Sequence, residues 1–217
     1  MSSFNAWRVG ARHYVSGLGA AGGCAYLAAS VNAWLWPLAG AFLAYGLFAL
    51  FFFRDPPRRI AAEPYEAVSP ADGKVVGIED LAETPHYDGP CVRLSIFLSI
   101  LDAHVNRSPC DGAVQDIQYK PGKFKTAMKA ESSECNEANT LRLKTPHGPL
   151  TVRQIAGIVA RRIVCVTRVG ETLAKGQKFG MIKFGSRTEL YLPAGTQICV
   201  KIKDRVRAGT TVVAKFT

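Results

Sequence analysis

Charged side chains are missing from a long block near the start of this sequence. No Asp, Glu, Lys or Arg occurs from position 14 to position 53, and the residues before that block include two arginines but no acidic side chain. One helical pass of a bilayer needs only about 20 apolar residues. The absence of charge excludes an ordinary soluble N-terminal domain. It predicts a hydrophobic helical membrane segment over residues 1–53.

The cysteines also lack the regular spacing that is typical of metal-binding or redox motifs. The six cysteines are scattered, and none belongs to a Cys-x-x-Cys pair, which removes support for zinc-ribbon and thioredoxin-like sites. We interpret them as unpaired thiols in a reducing compartment. No cluster of metal-ligating residues is visible in the sequence, so we expect no metal.

The net charge of the chain is +10. A basic surface of this kind attracts nucleic acid or anionic lipid. The sequence contains no RNA-binding or helix-turn-helix signature, and its N-terminus is hydrophobic. We therefore expect a lipid surface and no nucleic acid as the partner.

The hydrophobic block divides at Ser30-Val31-Asn32. Residues 14–29 are rich in Gly and Ala, whereas residues 34–53 are strongly apolar and begin with two tryptophans. Arginines precede and follow the block, and positive flanks favour a helical hairpin with both ends in the cytoplasm. A single spanning or in-plane helix formed by the second half alone is the alternative.

After the paired prolines Pro56 and Pro57 the sequence changes to short runs rich in Val, Ile and aromatic residues, separated by Gly, Pro and Asp. Helix-length amphipathic segments are scarce. We therefore predict that residues 54–217 form a mainly β, antiparallel, barrel-sandwich-like domain. The predicted strands are 74–78, 92–98, 113–119, 141–144, 150–155, 163–167, 178–183, 189–192, 197–202 and 211–216.

The dipeptide Gly185-Ser186 can support unusual chemistry. Glycine has no side chain to shield its carbonyl and tolerates uncommon backbone geometry. The Ser186 hydroxyl can attack the Gly185 carbonyl and convert the amide into an ester. Elimination of that ester leaves dehydroalanine, which hydrolyses to a pyruvoyl group and ammonia. Gly-Ser is also common in turns, so the surrounding residues must decide.

Several sequence blocks on either side of this dipeptide indicate the same protein family. From about Arg54 to the C-terminus the chain resembles the short-form phosphatidylserine decarboxylase proenzymes, with the matching blocks in the same order. The blocks are residues 69–73, 102–109, 136–137, 153–157, 160–163, 179–186 and 190–193.

The resemblance implies a pyruvoyl-dependent enzyme. The precursor would cleave itself between Gly185 and Ser186 into a beta chain, 1–185, and an alpha chain, 186–217, which stay together as a heterodimer. A pyruvoyl group made from Ser186 would form a Schiff base with phosphatidylserine in the membrane. Loss of CO₂ would then yield phosphatidylethanolamine, at the cytoplasmic face of the cell membrane.

The resemblance also assigns roles to two residues. Asp72 occupies the position of the family's carboxylate near the cleavage site; its alternative is an ordinary turn aspartate before Gly73. His104 matches the histidine tied to decarboxylation, and imidazole exchanges protons near neutral pH. Its alternative is an exposed loop histidine.

Arg107 marks a departure from the longer bacterial members of that family. They carry a second histidine three positions after the first, usually linked to self-cleavage, and here that position is Arg107. Either His104 serves both steps or Asp72 acts on Ser186 without an imidazole. Arg107 itself is a candidate for binding the substrate phosphate or carboxylate, or an exposed surface arginine.

Two rival functions remain at this stage. Residues 69–75 and 169–177 look like the hairpins of biotinyl and lipoyl carrier folds, which also suits a non-catalytic barrel-sandwich membrane protein. A carrier needs a lysine in an Asp-Lys-Ala or Met-Lys-Met sequence, and neither occurs. The second rival is a decarboxylase that acts on a different amino-acid-headed lipid.

Overall fold

The computed structural model describes residues 4–122, 135–157, 162–183 and 186–216. The chain forms two compact units, one of residues 5–56 and the other largely of residues 57–216. The division falls between Pro56 and Pro57, where paired prolines end any continuing helix.

The first unit contains two helices, α1 (Ala6–Ser30) and α2 (Trp36–Phe52), joined by a 3₁₀ turn (Ala33–Leu35). Asn5 caps α1, because its side-chain oxygen accepts the backbone N–H of Arg8 at 3.2 Å. The second helix has a proline in its first turn, where a missing N–H costs nothing.

The two helices pack closely where glycines face each other. A Cβ on Gly17 would lie 2.9 Å from the Cα of Gly46, so the two backbones leave no room for a side chain there. His13 and Tyr45 add a 2.8 Å hydrogen bond between the helices. In the described part of the chain, one helical stretch, residues 33–52, is long and apolar enough to cross a membrane.

The second unit is built of short strands, which lie between 66 and 215. Within the described residues they are β1 (Glu66–Val68), β2 (Gly73–Leu81), β3 (Cys91–Leu98), β4 (Val105–Arg107), β5 (Gly112–Lys120), β6 (Ala138–Thr145), β7 (Gly148–Ala156), β8 (Ile163–Cys165), β9 (Thr172–Leu173), β10 (Lys178–Ile182), β11 (Ser186–Pro193), β12 (Gln197–Ile198), β13 (Arg205–Val206) and β14 (Val212–Lys215).

These strands form one large sheet and two small ones. The large sheet has the order β13-β2-β3-β11-β7-β6-β5-β9 and curls into a half-barrel. The small sheets have the orders β4-β10-β8 and β1-β14-β12. Every pair of neighbouring strands is antiparallel. The prediction of a mainly antiparallel β domain after an apolar helical segment is therefore confirmed.

The hydrophobic core lies between the large sheet and the small ones. Leu94 of β3 and Leu190 of β11 share one buried cluster with Phe179 of β10 and Ala214 of β14. Each fully buried leucine or phenylalanine contributes about 1.5–3 kcal/mol relative to an exposed one. This core holds the strands that carry the candidate site residues against one another.

All ten predicted strand regions overlap observed strands, but some bounds are wrong. The predicted strand 197–202 ends at Ile198, because Asp204 accepts the N–H of Lys201 and closes a turn there. The predicted strand 189–192 in fact begins at Ser186. The short strands β1, β4, β9 and β13 were not predicted, since segments of two or three residues show too little alternation by themselves. The equally short β8 and β12 lie within longer runs of β-forming residues.

Candidate active site

Ser186 is the first residue of β11, in the middle of the large sheet. It pairs with Leu98 of β3 on one side and with Ala156 of β7 on the other. The residue is fully buried, and none of the described residues forms a hydrogen bond with its hydroxyl oxygen. A buried hydroxyl without a hydrogen-bond partner destabilises the folded state. Such a group therefore calls for a functional explanation. The predicted scissile partner, Gly185, lies outside the described residues.

His104 lies immediately before β4 and is also fully buried, not exposed in a loop. Its Nδ1 atom lies 2.8 Å from the backbone oxygen of Asp102. A carbonyl oxygen only accepts, so this contact places the ring proton on Nδ1. In the neutral imidazole, Nε2 is then the atom that can accept a proton.

Two contacts place His104 toward the Ser186 end of β11. The backbone N–H of Ile182 donates to the His104 carbonyl at 3.3 Å, four positions before Ser186. The Ile182 side chain packs against Ala156, the residue that pairs with Ser186. The segment that carries the predicted cleavage site therefore begins beside His104.

Asn106 connects three parts of the site. Its Nδ2 donates to the Thr188 hydroxyl at 3.2 Å and to the Pro70 carbonyl at 3.3 Å. Thr188 lies two residues after Ser186 and on the same face of β11, because side chains alternate along a strand. His104 lies two residues before Asn106, just outside β4. Asn106 thus binds the loop that contains Asp72 to the strand that carries Ser186.

A chain of buried amides extends this connection across the sheet. Gln154 of β7 donates to Asn106 Oδ1 at 2.9 Å, and Asn139 of β6 donates to Gln154 Oε1 at 3.0 Å. All three side chains are buried. Buried amides that satisfy one another define a single arrangement, since any other one leaves polar groups unpaired.

Asp72 is held by both of its carboxylate oxygens. Oδ2 lies 2.6 Å from a guanidinium nitrogen of Arg58, and Oδ1 accepts the backbone N–H of Ala208 at 2.7 Å. Burial raises the pKa of Asp72, although the Ala208 N–H and the positive charge of Arg58 oppose the rise. Asp72 is therefore more than a turn residue.

Asp72 and Ser186 are not in hydrogen-bond contact among the described residues. Lys74 of β2 and Arg187 of β11 both oppose Phe97 of the intervening strand β3. Two strand spacings therefore separate the two segments, about 10 Å. A backbone hydrogen bond links His104 to Ile182, four positions before Ser186, whereas strand β3 lies between the segments of Asp72 and Ser186.

Arg107 is buried, so an exposed surface arginine is excluded. Its Nη1 donates to the Gly176 carbonyl at 3.1 Å, and its Cδ would lie 2.9 Å from a Cβ placed on Gly209. Since it follows Asn106 on β4, its side chain extends to the opposite side of that strand. The structure thus separates Arg107 from the Asn106–Thr188 contact.

The outer face of β11 carries a second buried polar group. Glu189 is fully buried and receives the Tyr191 hydroxyl at 2.7 Å, with Arg187 Nε at 3.1 Å and Arg153 Nη1 at 3.5 Å. Arg187 also donates to the Ser95 hydroxyl at 2.7 Å. The residue directly after Ser186 is therefore fastened to the neighbouring strand β3.

No group of three His, Cys, Asp or Glu side chains within the described residues could hold a metal ion. The Ser186 hydroxyl at the start of β11, which has no hydrogen-bond partner among the described residues, suits a residue that is to be modified, because loss of its oxygen would remove an unsatisfied buried polar group.

Sequence reasoning did not identify several of these residues. Asn106 and Gln154 lie inside the blocks 102–109 and 153–157, but nothing local distinguishes an amide in a network from one that faces solvent. Arg58 was visible only as a flanking positive charge. Its partner Asp72 lies 14 positions away, so the pairing needed the fold.

Comparison of the sequence with known proteins identifies its family. The family model for phosphatidylserine decarboxylase matches residues 45–214. The chain is 46% identical over 191 residues to the phosphatidylserine decarboxylase proenzyme of Carboxydothermus hydrogenoformans, which covers 88% of each chain. It is 42% identical over 190 residues to that of Ralstonia nicotianae, over 87% of this chain and 86% of the relative. The corresponding protein of Nitrosomonas europaea is 44% identical over 184 residues, or 84% of each chain. With most of its length matched, the chain belongs to the phosphatidylserine decarboxylase family of enzymes.

Proposed function

We propose that the chain is a precursor that cleaves itself between Gly185 and Ser186 and then decarboxylates phosphatidylserine to phosphatidylethanolamine. The observation that carries this proposal is the Ser186 hydroxyl, which is buried and lacks a hydrogen-bond partner among the described residues. Its place in a family whose relatives are named proenzymes supports the same conclusion.

Maturation begins with Ser186 Oγ attacking the Gly185 carbonyl carbon. The peptide nitrogen leaves that carbon and becomes the free amine of Ser186, so an ester replaces the amide. Elimination across Cα and Cβ releases Gly185 as a carboxylate and leaves dehydroalanine at residue 186. One water then replaces the nitrogen, which departs as ammonia, and a pyruvoyl group remains.

His104 is our candidate for the proton acceptor of the first step. His104 holds its Nδ1 proton against the Asp102 carbonyl, which leaves Nε2 free of that proton and able to accept one in the neutral ring. The ionised carboxylate of Asp72 would stabilise the positive charge that develops on the imidazole.

In the decarboxylation step the pyruvoyl group supplies a ketone for the substrate amine and accepts the electron pair released with CO₂. His104 then delivers a proton to the substrate carbon. The amide network through Asn106 and Gln154 holds β4, β7 and β11 in one arrangement during both steps. Arg107, a buried cation on β4, stays our candidate for binding the substrate phosphate or carboxylate, on the opposite side of β4 from the Asn106–Thr188 contact.

The two chains would remain together after cleavage. The alpha chain begins with β11, which lies between β3 and β7 of the beta chain, and it continues with β13 and β14, which pair with β2 and β1. The apolar residues 33–52 would hold the heterodimer on the membrane. The basic flanks of that block favour the cytoplasmic face.

Intact-mass measurement of the purified protein tests the proposal. We expect two chains that end and begin at the Gly185–Ser186 bond, with a small chain that reacts with a carbonyl reagent such as phenylhydrazine. Ser186→Ala should stay full length, whereas Ser30→Ala, an exposed serine in α1, should mature normally. Cleavage of Ser186→Ala would overturn the mechanism.

The substrate assignment needs its own measurement. Release of CO₂ should be compared between phosphatidylserine and lipids that carry other amino acids on the same backbone. We expect turnover with the serine headgroup. A matured protein that is inactive on phosphatidylserine and active on another amino-acid-headed lipid would keep the chemistry and replace the substrate.

A further inference from the structure

Arg58 contacts the candidate carboxylate from an unexpected part of the chain. It lies in the segment that directly follows α2 in sequence, and its Nη2 atom is 2.6 Å from Asp72 Oδ2. The side chains of Arg58 and Asp72 are 12% and 13% exposed. Solvent therefore screens this ion pair much less than it screens a surface pair.

The other carboxylate oxygen is bound by the opposite end of the chain. Asp72 Oδ1 accepts the N–H of Ala208, in the part that the proposed cleavage assigns to the small chain. With one oxygen held by Arg58 and the other by Ala208, the carboxylate has a single orientation. Loss of either contact would release it to rotate.

Arg58 is the cation that directly compensates the buried charge. Burial disfavours the ionised form of Asp72, and so does the nearby carboxylate of Asp102. Asp102 is itself bound by the Ser99 hydroxyl and by Arg205, at 2.8 Å and 3.3 Å. Among the described groups that face Asp72, Arg58 and the Ala208 N–H oppose this effect.

We propose that Arg58 is a positioning residue for Asp72, so that self-cleavage at Ser186 requires the segment after the hydrophobic helices to be seated on the β domain. This inference rests on the proposed function. It ties maturation to a part of the chain that lies outside the large sheet and far from Ser186 in sequence. The precursor would then stay uncleaved until that segment has docked.

The chain contains a matched control. Arg59 is the next residue and has the same charge, but it is exposed. Arg58→Gln and Arg59→Gln therefore change net charge equally in the same segment, and only the first removes the contact with Asp72. Arg58→Lys keeps the charge and loses the planar guanidinium.

The experiment follows self-cleavage of the full-length chain, synthesised in the presence of lipid vesicles, over a series of pH values. Arg58→Gln should slow cleavage about 10- to 100-fold, the scale expected when a reacting group is misplaced. The acid limb of its pH profile should also move to higher pH, because the pKa of Asp72 rises further without the cation. Arg59→Gln should match the wild type, and Arg58→Lys should recover part of the rate.

The outcomes separate this inference from the proposed function. Wild-type cleavage by Arg58→Gln overturns the inference, and so does slow cleavage with an unmoved pH profile, because that pattern marks a purely structural role. If Asp72→Asn also cleaves normally, Asp72 itself has no part in maturation and the inference falls with it. Cleavage of Ser186→Ala would instead overturn the proposed function.

Discussion

Ser186 and Arg187 are neighbours in sequence but belong to different environments. Ser186 faces the core side of β11, where the Asn106–Thr188 contact lies, and Arg187 faces the other side, where it binds Ser95 and Glu189. Side chains alternate along a strand, so one residue can be held firmly while the next is left open to react. The anchoring of Arg187 would limit how far residue 186 can move after the proposed cleavage.

His104 carries the first prediction at the scale of single residues. If its imidazole acts mainly in decarboxylation, His104→Ala should still mature to some extent, whereas its turnover should fall by about 10²–10⁴, the usual effect of losing one positioned proton donor. Cleavage is measured by intact mass and turnover by CO₂ release. His147→Ala, in the turn between β6 and β7, is the control and should keep both activities.

Two other results would be informative for His104. A variant that does not mature at all would show that His104 serves both steps, as the absence of a second histidine at position 107 allows. A variant that matures and turns over normally would remove His104 from the site.

His86 carries a prediction about pH. Burial, and then the positive charge of Arg153, lower the pKa of His86 to about 4. An unfolded histidine titrates near 6.5, so the unfolded chain binds this proton first as the pH falls. The contribution of His86 to stability is present above about pH 6.5 and is lost as the pH falls toward 4.

This effect can be measured by thermal unfolding in detergent between pH 4 and pH 7.5. The wild-type Tm should fall toward acid pH, and His86→Gln should fall less steeply over that interval. Parallel curves for the two proteins would show that His86 titrates normally in the folded state.

At the scale of elements, β11 is buried along almost its whole length. Seven of its eight residues are buried, since β3 and β7 flank it and both of its faces are covered. Glu189 accounts for much of its outer face, because it is shared by Arg187, Arg153 and Tyr191. Removing that one carboxylate would take a buried negative charge away from two buried guanidinium groups.

We therefore predict that Glu189→Gln destabilises the β domain by about 3–5 kcal/mol, the usual cost of breaking a buried ion pair. Glu79→Gln is the matched control. It removes a carboxylate that binds Arg93 at 2.7 Å but is 47% exposed, so its loss should cost at most about 1 kcal/mol. Urea unfolding measures both variants.

The matured protein gives a second readout for this prediction. Arg187 and Glu189 lie in the proposed small chain, whereas Arg153 and Ser95 lie in the large one. Glu189→Gln should therefore release the small chain at a lower urea concentration. Equal effects of Glu79→Gln and Glu189→Gln would contradict the assigned role of the buried network.

At the scale of the whole molecule, the two units differ in hydrophobicity and in net charge. The first consists mostly of apolar helices, and residues 1–53 contribute only two of the ten net positive charges. The rest of the chain therefore carries eight. A basic residue near an anionic membrane surface contributes about 1 kcal/mol of attraction. Two independent forces, insertion and charge, would act on the same protein.

These forces predict different responses to salt. The full-length protein should stay on vesicles that contain anionic lipid when the salt concentration is raised, because insertion of apolar helices is not screened. A chain without residues 1–53 should wash off, because charge is then its main attachment. Sedimentation with vesicles measures both. Release of the full-length protein by salt alone would show that its helices are not inserted.

The same truncation makes a prediction about activity. It keeps Arg58 and the whole β domain, so it should still cleave itself. It should lose more activity on bilayer substrate than on short-chain lipid dispersed in detergent, since the acyl chains of the natural substrate stay in the membrane. Equal losses on both substrates would argue that the helices support the fold of the site itself.

Local sequence determined the elements of this protein. Uncharged residues predicted the helices, and short β-rich runs separated by turn residues predicted ten strand regions, because burial of one face imposes a period that can be read along the chain. The ordered blocks around Gly185-Ser186 pointed to the family. They contain Ser186, Asp72 and His104, which is why these residues could be proposed from the sequence.

Only the tertiary structure decided how those residues are held. The start of β11 at Ser186, the Asn106–Gln154 network, the buried Glu189 cluster and the contact of Arg58 with Asp72 all join segments that are distant in sequence. Hydrogen bonds and ion pairs depend on separations of a few ångströms in space, and such separations arise only when strands from different parts of the chain pack together. The periodicity of a strand predicts that it has a buried face, but not which partner that face will meet.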